Sequence, residues 1–464
     1  MSKRILILGA GKEQVPAIEA AARKGIRTLV LDMNAEAEGA ALADEFRPVS
    51  TRDIGAILGF LGEYKAKIDG VMTIASDIPH CVSAVAEVLG VPHIALEVAR
   101  RCIDKFAMKQ ALLAGGVNIP EFAAIASVDD LKAFITRFGH PAVIKPVDNS
   151  GARGVLRLTR AIDLDWAFAY AKQFSYSGRV EVERFIPGLQ ISTEGLVLDG
   201  RLHTTGFADR NYARLDDTAP YMVEDGGDIP TILGARDRQS VIAEFDKAVS
   251  ALGIDWGPAK GDMVFGEDGK AYVIEIAARL SGGNFCYDKV PWSTGVDIVD
   301  ILVDMAVGNP VDPQRFEPDR NLATVQRYFF PPPGRIEAIR GLERAKAIPE
   351  IRKLDLWVKP GATVAAAENH PSRVGYVIAC APTRATATAA AEKAVRAVDF
   401  VMALEANPET EITFSAAKRG RGRDPSRQRR EGEVVPATDP HLTRSPRTSI
   451  RGSHPLPPQS GRRG

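Results

Sequence analysis

The chain has 464 residues, of which 45% are hydrophobic and 25% are charged. This length predicts two to four domains, and the composition is ordinary for a globular protein. Four scattered cysteines without a C-x-x-C pair argue against a zinc site or a disulfide framework. Neither a signal peptide nor an apolar stretch long enough for a membrane span is recognised, so we expect a cytoplasmic protein without membrane contact.

The formal net charge of zero is the balance of two unequal parts. Residues 416–464 contain 12 Lys or Arg and 4 Asp or Glu, a net charge of +8, and the remainder carries −8. Arg, Gly, Pro and Ser dominate this segment, which predicts a disordered basic tail. Nucleic-acid binding through the arginines is one interpretation. No aromatic residue interleaves them, so a solvated tail without a nucleic-acid partner is favoured.

The first part of the chain alternates between strand and helix patterns. Strands are predicted at Arg4–Leu8, Thr28–Asp32 and Gly70–Ile74, and helices at Val15–Lys24 and Cys81–Leu89. This alternation predicts a doubly wound parallel sheet with helices on its faces. We assign it to an N-terminal Rossmann-like domain, 1–103.

The first turn of this domain resembles part of a dinucleotide-binding fingerprint. Gly9 and Gly11 lie in a turn between strand and helix, and Asp32 ends the next strand. Gln14 stands at the third glycine position, where a side chain fills the approach to a pyrophosphate. A tight turn that binds no NAD is therefore favoured, and an NAD(P)-dependent oxidoreductase stays as the alternative.

A mixed pattern follows up to about residue 310. The predicted helices are Lys105–Ala114, Val128–Phe138, Asp163–Phe174, Arg236–Leu252 and Asp297–Val307. The predicted strands are Ala142–Lys145, Val180–Glu183, Ile191–Leu198, Leu202–Phe207, Ala259–Phe265 and Ala271–Ile276. Asp199-Gly200 and Asp268-Gly269 are hairpin turn signals.

The pattern changes after Pro310. A strand is predicted at Thr324–Phe330, and shorter apolar runs at Leu354–Val358 and Val374–Ile378. Ala385–Phe400 is an alanine-rich segment that predicts a helix. These elements indicate a smaller α+β unit, 311–415.

The strand Ala142–Lys145 ends in a lysine and leads into the small, polar loop Asn149–Gly154. A fixed positive charge beside a loop of backbone N–H groups can hold a polyphosphate. The spacing is not that of a P-loop.

The hairpin around Asp268-Gly269 brings two carboxylates together. With a two-residue turn, Glu267 pairs with Lys270, and Asp262 lies directly opposite Glu275. Like charges opposite each other destabilise a sheet, and a divalent cation between them removes this penalty. Strand alternation places Arg279 on the same face. A solvated face or a bulge that breaks the register are the alternatives.

The chain resembles the ATP-grasp superfamily in the order of four elements. These are the lysine on a strand, the glycine-bearing loop, the linker Val182–Gly188 and the acidic hairpin. The pattern Glu275–Gly283 is similar to the subgroup of amino-acid ligases and of carbamoyl-phosphate-synthase-like and biotin-carboxylase-like proteins. The resemblance covers about residues 1–410. It implies an ATP-grasp domain at 104–310, with a lid at about 120–182, which the unit 311–415 completes.

The resemblance also implies the roles of individual residues. ATP would contact the linker main chain and the following residues: Lys105, Lys145, Ser150, Gly151, Ala152, Gly154, Glu183, Arg184, Ile186 and Gln190. Mg²⁺ or Mn²⁺ would bind to Asp262 and Glu275. Arg279 and Lys145 would be catalytic, and Arg279 would also contact the substrate. Independently of the resemblance, the polar and aromatic run 206–212 after a predicted strand adds Arg210 and Asn211 as candidate substrate contacts. A surface loop with an Asp209–Arg210 charge pair is the alternative.

The implied reaction is that of an ADP-forming ligase. A small-molecule carboxylate takes the γ-phosphate of ATP to give an acylphosphate, which an amine, or less often a thiol, then attacks. The loop Asn149–Gly154 would close as a lid that excludes water. A homodimer is compatible with the resemblance; the identity of the substrates stays open.

The sequence departs from the family pattern at three positions. Ala277 replaces a common metal-binding asparagine, Asp262 stands where glutamate is commoner, and Gln190 replaces a glutamate that often holds the ribose. A non-catalytic ATP-binding protein is therefore a further alternative.

Overall fold

The computed structural model describes residues 2–403. The predicted tail, 416–464, and the end of the unit predicted at 311–415 lie outside the described residues. Within residues 2–403 no helix is long and apolar enough to cross a bilayer.

The first 101 residues form a four-stranded parallel sheet in the order β3-β2-β1-β4. The predicted parallel sheet is thus confirmed. Its strands are β1 (Arg4–Leu8), β2 (Arg27–Leu31), β3 (Glu45–Arg47) and β4 (Gly70–Met72). Its helices are α1 (Val15–Arg23), α2 (Ile54–Glu63), α3 (Pro79–Leu89) and α4 (Leu96–Arg101).

Both faces of this sheet are covered. Ile5 and Ile7 of β1 belong to the apolar cluster that includes α1, and Leu6 and Leu8 to the cluster that includes α2 and α3. Alternation along the strand sends successive side chains to opposite faces, so a continuous apolar run is needed. Helix α10 (Ile298–Ala306) packs beside α1, although more than 270 residues separate the two helices along the chain.

A second, antiparallel sheet in the order β5-β8-β6-β7 lies within the segment predicted as a lid. Its strands are β5 (Phe122–Ile125), β6 (Ala142–Pro146), β7 (Leu156–Leu158) and β8 (Val180–Arg184). The neighbouring helices are α5 (Lys105–Ala114), α6 (Val128–Phe138) and α7 (Leu164–Gln173). The Asp104 side chain caps α5 by accepting the Ala107 N–H, so this helix begins where the sequence predicted.

The largest sheet has eight strands in the order β13-β12-β9-β10-β11-β14-β18-β16. These are β9 (Gly188–Leu198), β10 (Arg201–Arg210), β11 (Gly227–Ile229), β12 (Gly257–Gly266), β13 (Ala271–Ala277), β14 (Ala323–Tyr328), β16 (Ile351–Leu356) and β18 (Gly375–Ala381). Its helices are α8 (Ala235–Leu252), α9 (Val290–Thr294) and α10 (Ile298–Ala306). Three strands from beyond residue 310 thus join the sheet that carries the acidic hairpin.

The remaining elements lie towards the end of the described chain. They are β15 (Gly334–Arg340), β17 (Thr363–Val364), β19 (Asp399–Met402), α11 (Leu342–Lys346) and α12 (Arg384–Ala397). The predicted helix Ala385–Phe400 was wrong at its end, because Val398 is extended and the chain enters β19. Short 3₁₀ turns occur at Lys12–Gln14, Glu38–Ala40, Pro313–Phe316 and His370–Ser372, and a π-helical turn at Phe285–Lys289.

The glycine turn after β1 is filled by a side chain of the protein. Gln14 is buried, and a Cβ added to Gly9 would lie 3.0 Å from its Cγ. Its amide accepts the Ile74 N–H at 2.8 Å and donates to the Ile74 carbonyl. Asp32 accepts the Ala10 N–H at 2.8 Å. Both residues are thus committed to contacts within the protein, and the turn is structural.

This geometry predicts that Gln14→Ala destabilises the fold. The substitution leaves the buried Ile74 N–H and carbonyl without partners, which costs about 1–3 kcal/mol in the free energy of unfolding. Urea denaturation measures the change. Glu19→Ala, on the exposed face of α1, is the control. Equal stability of the two variants would contradict the structural role of Gln14.

Candidate functional site

A cavity of about 410 Å³ lies between the four-stranded antiparallel sheet and the β12–β13 hairpin. A volume of this size suits a small-molecule ligand. Most of the residues predicted for the site line its wall: Lys105, Lys145, Ser150, Gly151, Ala152, Glu183, Arg184, Ile186, Gln190, Arg210, Asp262, Glu275 and Arg279. Gly154 and Asn211 are not among the lining residues.

Lys145 lies at the end of β6, directly across the sheet from Glu181. Its Nζ is 2.7 Å from Glu183 Oε1 and 3.6 Å from Glu181 Oε1, and only 4% of Lys145 is exposed. Burial works to lower the pKa of Lys145, but Glu183 and Glu181 outweigh it, so the pKa is raised. The ammonium group therefore stays charged at the cavity wall.

Lys109 completes this buried network and was not predicted. It is fully buried and pairs with both Glu181, at 2.9 Å, and Glu183. Its position one helical turn after Lys105 on α5 was the available signal, because residues four apart share a helix face. Lys109 does not line the cavity, so its role is to balance the two carboxylates that hold Lys145.

Lys105, at the start of α5, contacts the acidic hairpin. Its Nζ is 3.1 Å from Glu275 Oε1 and donates to the Asn149 carbonyl at 2.7 Å. Lys105 thereby connects the acidic hairpin with the start of the predicted phosphate loop. The two predicted lysines, which come from α5 and β6, face one cavity.

The loop Asn149–Gly154 is held by its own backbone and by a distant segment. Gly151, Ala152 and Gly154 have positive φ values of 66°, 60° and 74°. The Gly151 carbonyl accepts the His370 N–H at 3.0 Å. A Cβ at Gly154 would lie 2.8 Å from Phe174, so this glycine serves packing beneath the loop.

The linker after β8 forms the end of the cavity predicted for adenine. Arg184, Phe185 and Ile186 line it, and Gln190 on β9 lies beside them. Within residues 2–403 the Ile186 N–H has no hydrogen-bond partner, whereas the Phe185 N–H donates to Pro141. A free main-chain donor in an apolar wall can recognise a planar base.

The hairpin register differs from the predicted one at the turn and at a bulge, and these two one-residue shifts compensate each other. The turn has three residues, Glu267 to Gly269, so Phe265 pairs with Ala271, and the predicted pairing of Glu267 with Lys270 was wrong. A bulge at Ile274 then shifts the register by one residue and restores Asp262 opposite Glu275. The bulge that stood as an alternative is therefore present, and it brings the carboxylates together.

Asp262 is surrounded by positive charge. Arg210 Nη1 lies 2.8 Å and Lys260 Nζ 2.5 Å from its Oδ1. Burial works to raise the pKa of Asp262, but Arg210 and Lys260 outweigh it, so the pKa is well below its usual range. Lys260 was missed, although alternation along β12 places it on the same face as Asp262.

The donor set fits one divalent cation. Within residues 2–403, Asp262 Oδ2 and Glu275 Oε2 accept no hydrogen bond, and both side chains line the cavity. Oxygen ligands of this kind suit Mg²⁺, which keeps waters and nucleotide phosphates as its other ligands. No group of three or more His, Cys, Asp or Glu side chains arranged for a metal occurs in the described residues.

Arg279 is positioned by the N-terminal domain. Its Nε donates to Asp77 Oδ1, and a parallel bridge between Ile74 and Leu280 joins the two segments. Burial works to lower the pKa of Arg279, but Asp77 outweighs it and the pKa is raised. Asp77 follows the strand β4 and lines the cavity together with Arg279.

Of the two other residues predicted to contact substrate, Arg210 faces the cavity and Asn211 does not. Arg210 donates to Glu224 as well as to Asp262. The Asn211 Oδ1 accepts the Ala213 N–H at 3.0 Å and stabilises a turn. Arg373, which no sequence signal indicated, also lines the cavity and lies 3.9 Å from the centre of the Tyr328 ring.

Residues 102–283 match the ATP-grasp domain family, and residues 327–403 match the L-amino acid ligase C-terminal domain 2. The chain contains an ATP-grasp domain. The resemblance seen in the sequence is thereby confirmed. The predicted class of ATP-dependent, ADP-forming ligases that activate a carboxylate is confirmed as well. The alternative of an NAD(P)-dependent oxidoreductase is not favoured.

Similar proteins match most of the length of this chain. The uncharacterized protein y4rH of Sinorhizobium fredii is 26% identical over 77% of this chain and 73% of its own length. A formate-dependent phosphoribosylglycinamide formyltransferase of Rhodococcus jostii is 24% identical over 86% of this chain and 95% of its own. The crystal structure of L-amino acid ligase from Bacillus licheniformis superimposes with a TM-score of 0.73 at 22% identity, covering 87% of this chain and 99% of that one, which shows a shared fold.

Glu194 on β9 is a buried carboxylate that the sequence did not single out. One oxygen accepts the Ser281 N–H, and the other has no partner within the described residues. Burial raises its pKa from 4.5 to about 7, against the opposing effect of the Ser281 hydrogen bond. The folded chain therefore binds this proton more tightly than the unfolded chain.

Glu194→Gln tests this consequence. Because the folded-state pKa is raised, the stability that the neutral acid contributes is complete below pH 4.5 and is lost as the pH rises to 7. The variant should therefore gain stability relative to the native chain across this window, by up to about 3 kcal/mol. Urea denaturation at several pH values measures the difference, with the exposed Glu267→Gln as the control. A difference that does not change with pH would contradict the raised pKa.

Proposed function

We propose that the cavity binds Mg·ATP and a carboxylate substrate and that the chain joins this carboxylate to an amine. The observation that supports this most directly is the convergence of Lys105, Lys145, the Asp262–Glu275 pair and Arg279 on one cavity. These residues come from separate elements of the chain. Their charges suit phosphoryl transfer, which depends on positioning and charge neutralisation.

The adenine would lie at the linker end, where the Ile186 N–H can donate to the base. Gln190 would accept or donate hydrogen bonds at the ribose. Lys105 and Lys145 would then contact the phosphates, and the loop Asn149–Gly154 would cover them. The cation on Asp262 and Glu275 would supply charge neutralisation at the phosphates.

Arg279 would hold the carboxylate of the substrate. Its guanidinium group has five N–H donors. Nε donates to Asp77 and Nη1 donates one N–H to the Leu280 carbonyl at 3.2 Å, which leaves the Nη2 group and the second Nη1 N–H for a carboxylate. Asp77 fixes the plane of the guanidinium group. The substrate oxygen would thus be presented to the γ-phosphate, and the resulting acylphosphate would stay near a fixed positive charge.

We propose α-amino acids as the first class of substrate to test. The match of residues 327–403 to an L-amino acid ligase domain supports this class, since this segment brings Arg373 to the cavity. The Rhodococcus jostii protein suggests formate with a phosphorylated amine as a second candidate.

The assay incubates the protein with Mg·ATP and pairs of amino acids, and measures ADP, phosphate and the mass of the product. ADP release that depends on two amino acids, together with a dipeptide mass, is the expected result. A parallel reaction with formate and a phosphorylated amine tests the second candidate. Binding of ATP without ADP release in any pool would overturn catalysis and favour a non-catalytic ATP-binding protein.

Lys145→Met should weaken ATP binding by about ten- to a hundredfold, since a charge-assisted hydrogen bond contributes about 1.5–3 kcal/mol. Calorimetry with a non-hydrolysable ATP analogue measures the affinity. Lys109→Met is the matched control, because it breaks the same buried network without facing the cavity. Equal losses of affinity in the two variants would assign Lys145 a structural role alone.

Arg279→Lys should leave the affinity for the ATP analogue unchanged and lower substrate-dependent ADP release by about a hundredfold, because lysine cannot hold a carboxylate in bidentate fashion. Steady-state measurement of ADP release with the accepted substrate provides the readout. Arg320→Lys, at an exposed site, is the control. Unchanged ADP release in Arg279→Lys would remove Arg279 from the proposed carboxylate site.

A further inference from the structure

Asp262 is contacted by positively charged side chains, whereas a site for several metal ions requires carboxylate oxygens that are free to bind cations. Its Oδ1 contacts two side-chain cations, Lys260 at 2.5 Å and Arg210 at 2.8 Å. All three side chains are largely buried, with exposures of 15–19%. One oxygen of this carboxylate is thus already occupied by fixed positive charges of the protein.

Lys260 also lies directly opposite Ala277 in the β12–β13 ladder. Ala277 stands where the ATP-grasp resemblance led us to expect an asparagine ligand, and its methyl group offers no oxygen. The ladder therefore places an ammonium group across from the position of the missing ligand. Loss of a ligand and gain of a cation occur at a single cross-strand pair.

The remaining donors suffice for one cation. Lys105 lies nearest to Glu275 Oε1, and Arg210 and Lys260 lie nearest to Asp262 Oδ1, so Glu275 Oε2 and Asp262 Oδ2 are the oxygens of this pair that are left to bind a cation. Phosphoryl-transfer sites that hold two divalent ions share several oxygen ligands between them. A second dication here would lie close to Lys260 and Arg210, and like charges at this distance repel strongly in a buried site.

We propose that this site holds a single divalent cation for each bound ATP and that the Lys260 ammonium group contacts the phosphoryl oxygens where a second cation would otherwise act. The inference rests on the proposed function, because it assumes that ATP binds in this cavity. It deepens that function by giving Lys260 a role in neutralising the charge that is transferred.

The first test counts metal ions without turnover. The native full-length chain is titrated with Mn²⁺ in the presence of a non-hydrolysable ATP analogue, and bound Mn²⁺ is measured by electron paramagnetic resonance. One bound Mn²⁺ for each bound nucleotide is expected. Two bound Mn²⁺ ions for each nucleotide would overturn the proposal. Absence of nucleotide binding would instead overturn the proposed function.

The second test exchanges the two members of the cross-strand pair. The double variant Lys260→Met and Ala277→Asn removes the cation and supplies the ligand, and should bind a second Mn²⁺ ion. Lys260→Met alone should still bind the nucleotide but lower the rate of ADP formation by about a hundredfold. A double variant that binds the nucleotide with one Mn²⁺ ion, or an unchanged rate in Lys260→Met, would count against the proposal.

Lys270→Met is the matched control, since Lys270 lies on the same hairpin, 65% of its side chain is exposed, and it is 3.9 Å from Asp268. It should change neither the metal count nor the rate. A change in Lys270→Met equal to that in Lys260→Met would show that hairpin charge in general, rather than the Lys260 site, is responsible and would overturn the assignment. The count on the native chain stands even if a variant fails to fold.

Discussion

Two carboxylates that face each other across a hairpin set the charge requirements of the whole cavity. Asp262 and Glu275 are adjacent cross-strand neighbours, and such a pair repels unless positive charge lies near it. Lys105 reaches Glu275 from α5, and Lys260 and Arg210 reach Asp262 from the large sheet. The elements that form the walls are thus brought together at the point where these charges meet.

Opposite charges also balance each other in the buried group of Lys109, Lys145, Glu181 and Glu183. Breaking a buried pair leaves an uncompensated charge, which is strongly destabilising. The group therefore fixes the end of β6 relative to α5. It follows that Lys145 is held as a charged group of defined position before any ligand arrives.

The extent of sequence-based prediction depended on whether a feature was local. The limits of α5 and α6 were predicted because capping residues and helical periodicity lie within a few positions of each other. The facing carboxylates were also predicted, but from a register with the wrong turn length and without the bulge. Strand alternation indicates neither the length of a turn nor the position of a bulge. The pairing of α10 with the N-terminal sheet and the arrival of Arg373 at the cavity depend on contacts between distant segments, which have no local signature.

The hydrogen bond from the His370 N–H to the Gly151 carbonyl has a consequence for the order of events at the cavity. The segment that makes it also carries Arg373, which donates to the Glu224 carbonyl and contributes to the cavity wall. The loop Asn149–Gly154 and the part of the cavity wall at Arg373 are therefore attached to the same segment of the chain. Under the proposed function, opening of the loop to release product would break this hydrogen bond, and the two halves of the cavity would then empty together rather than independently.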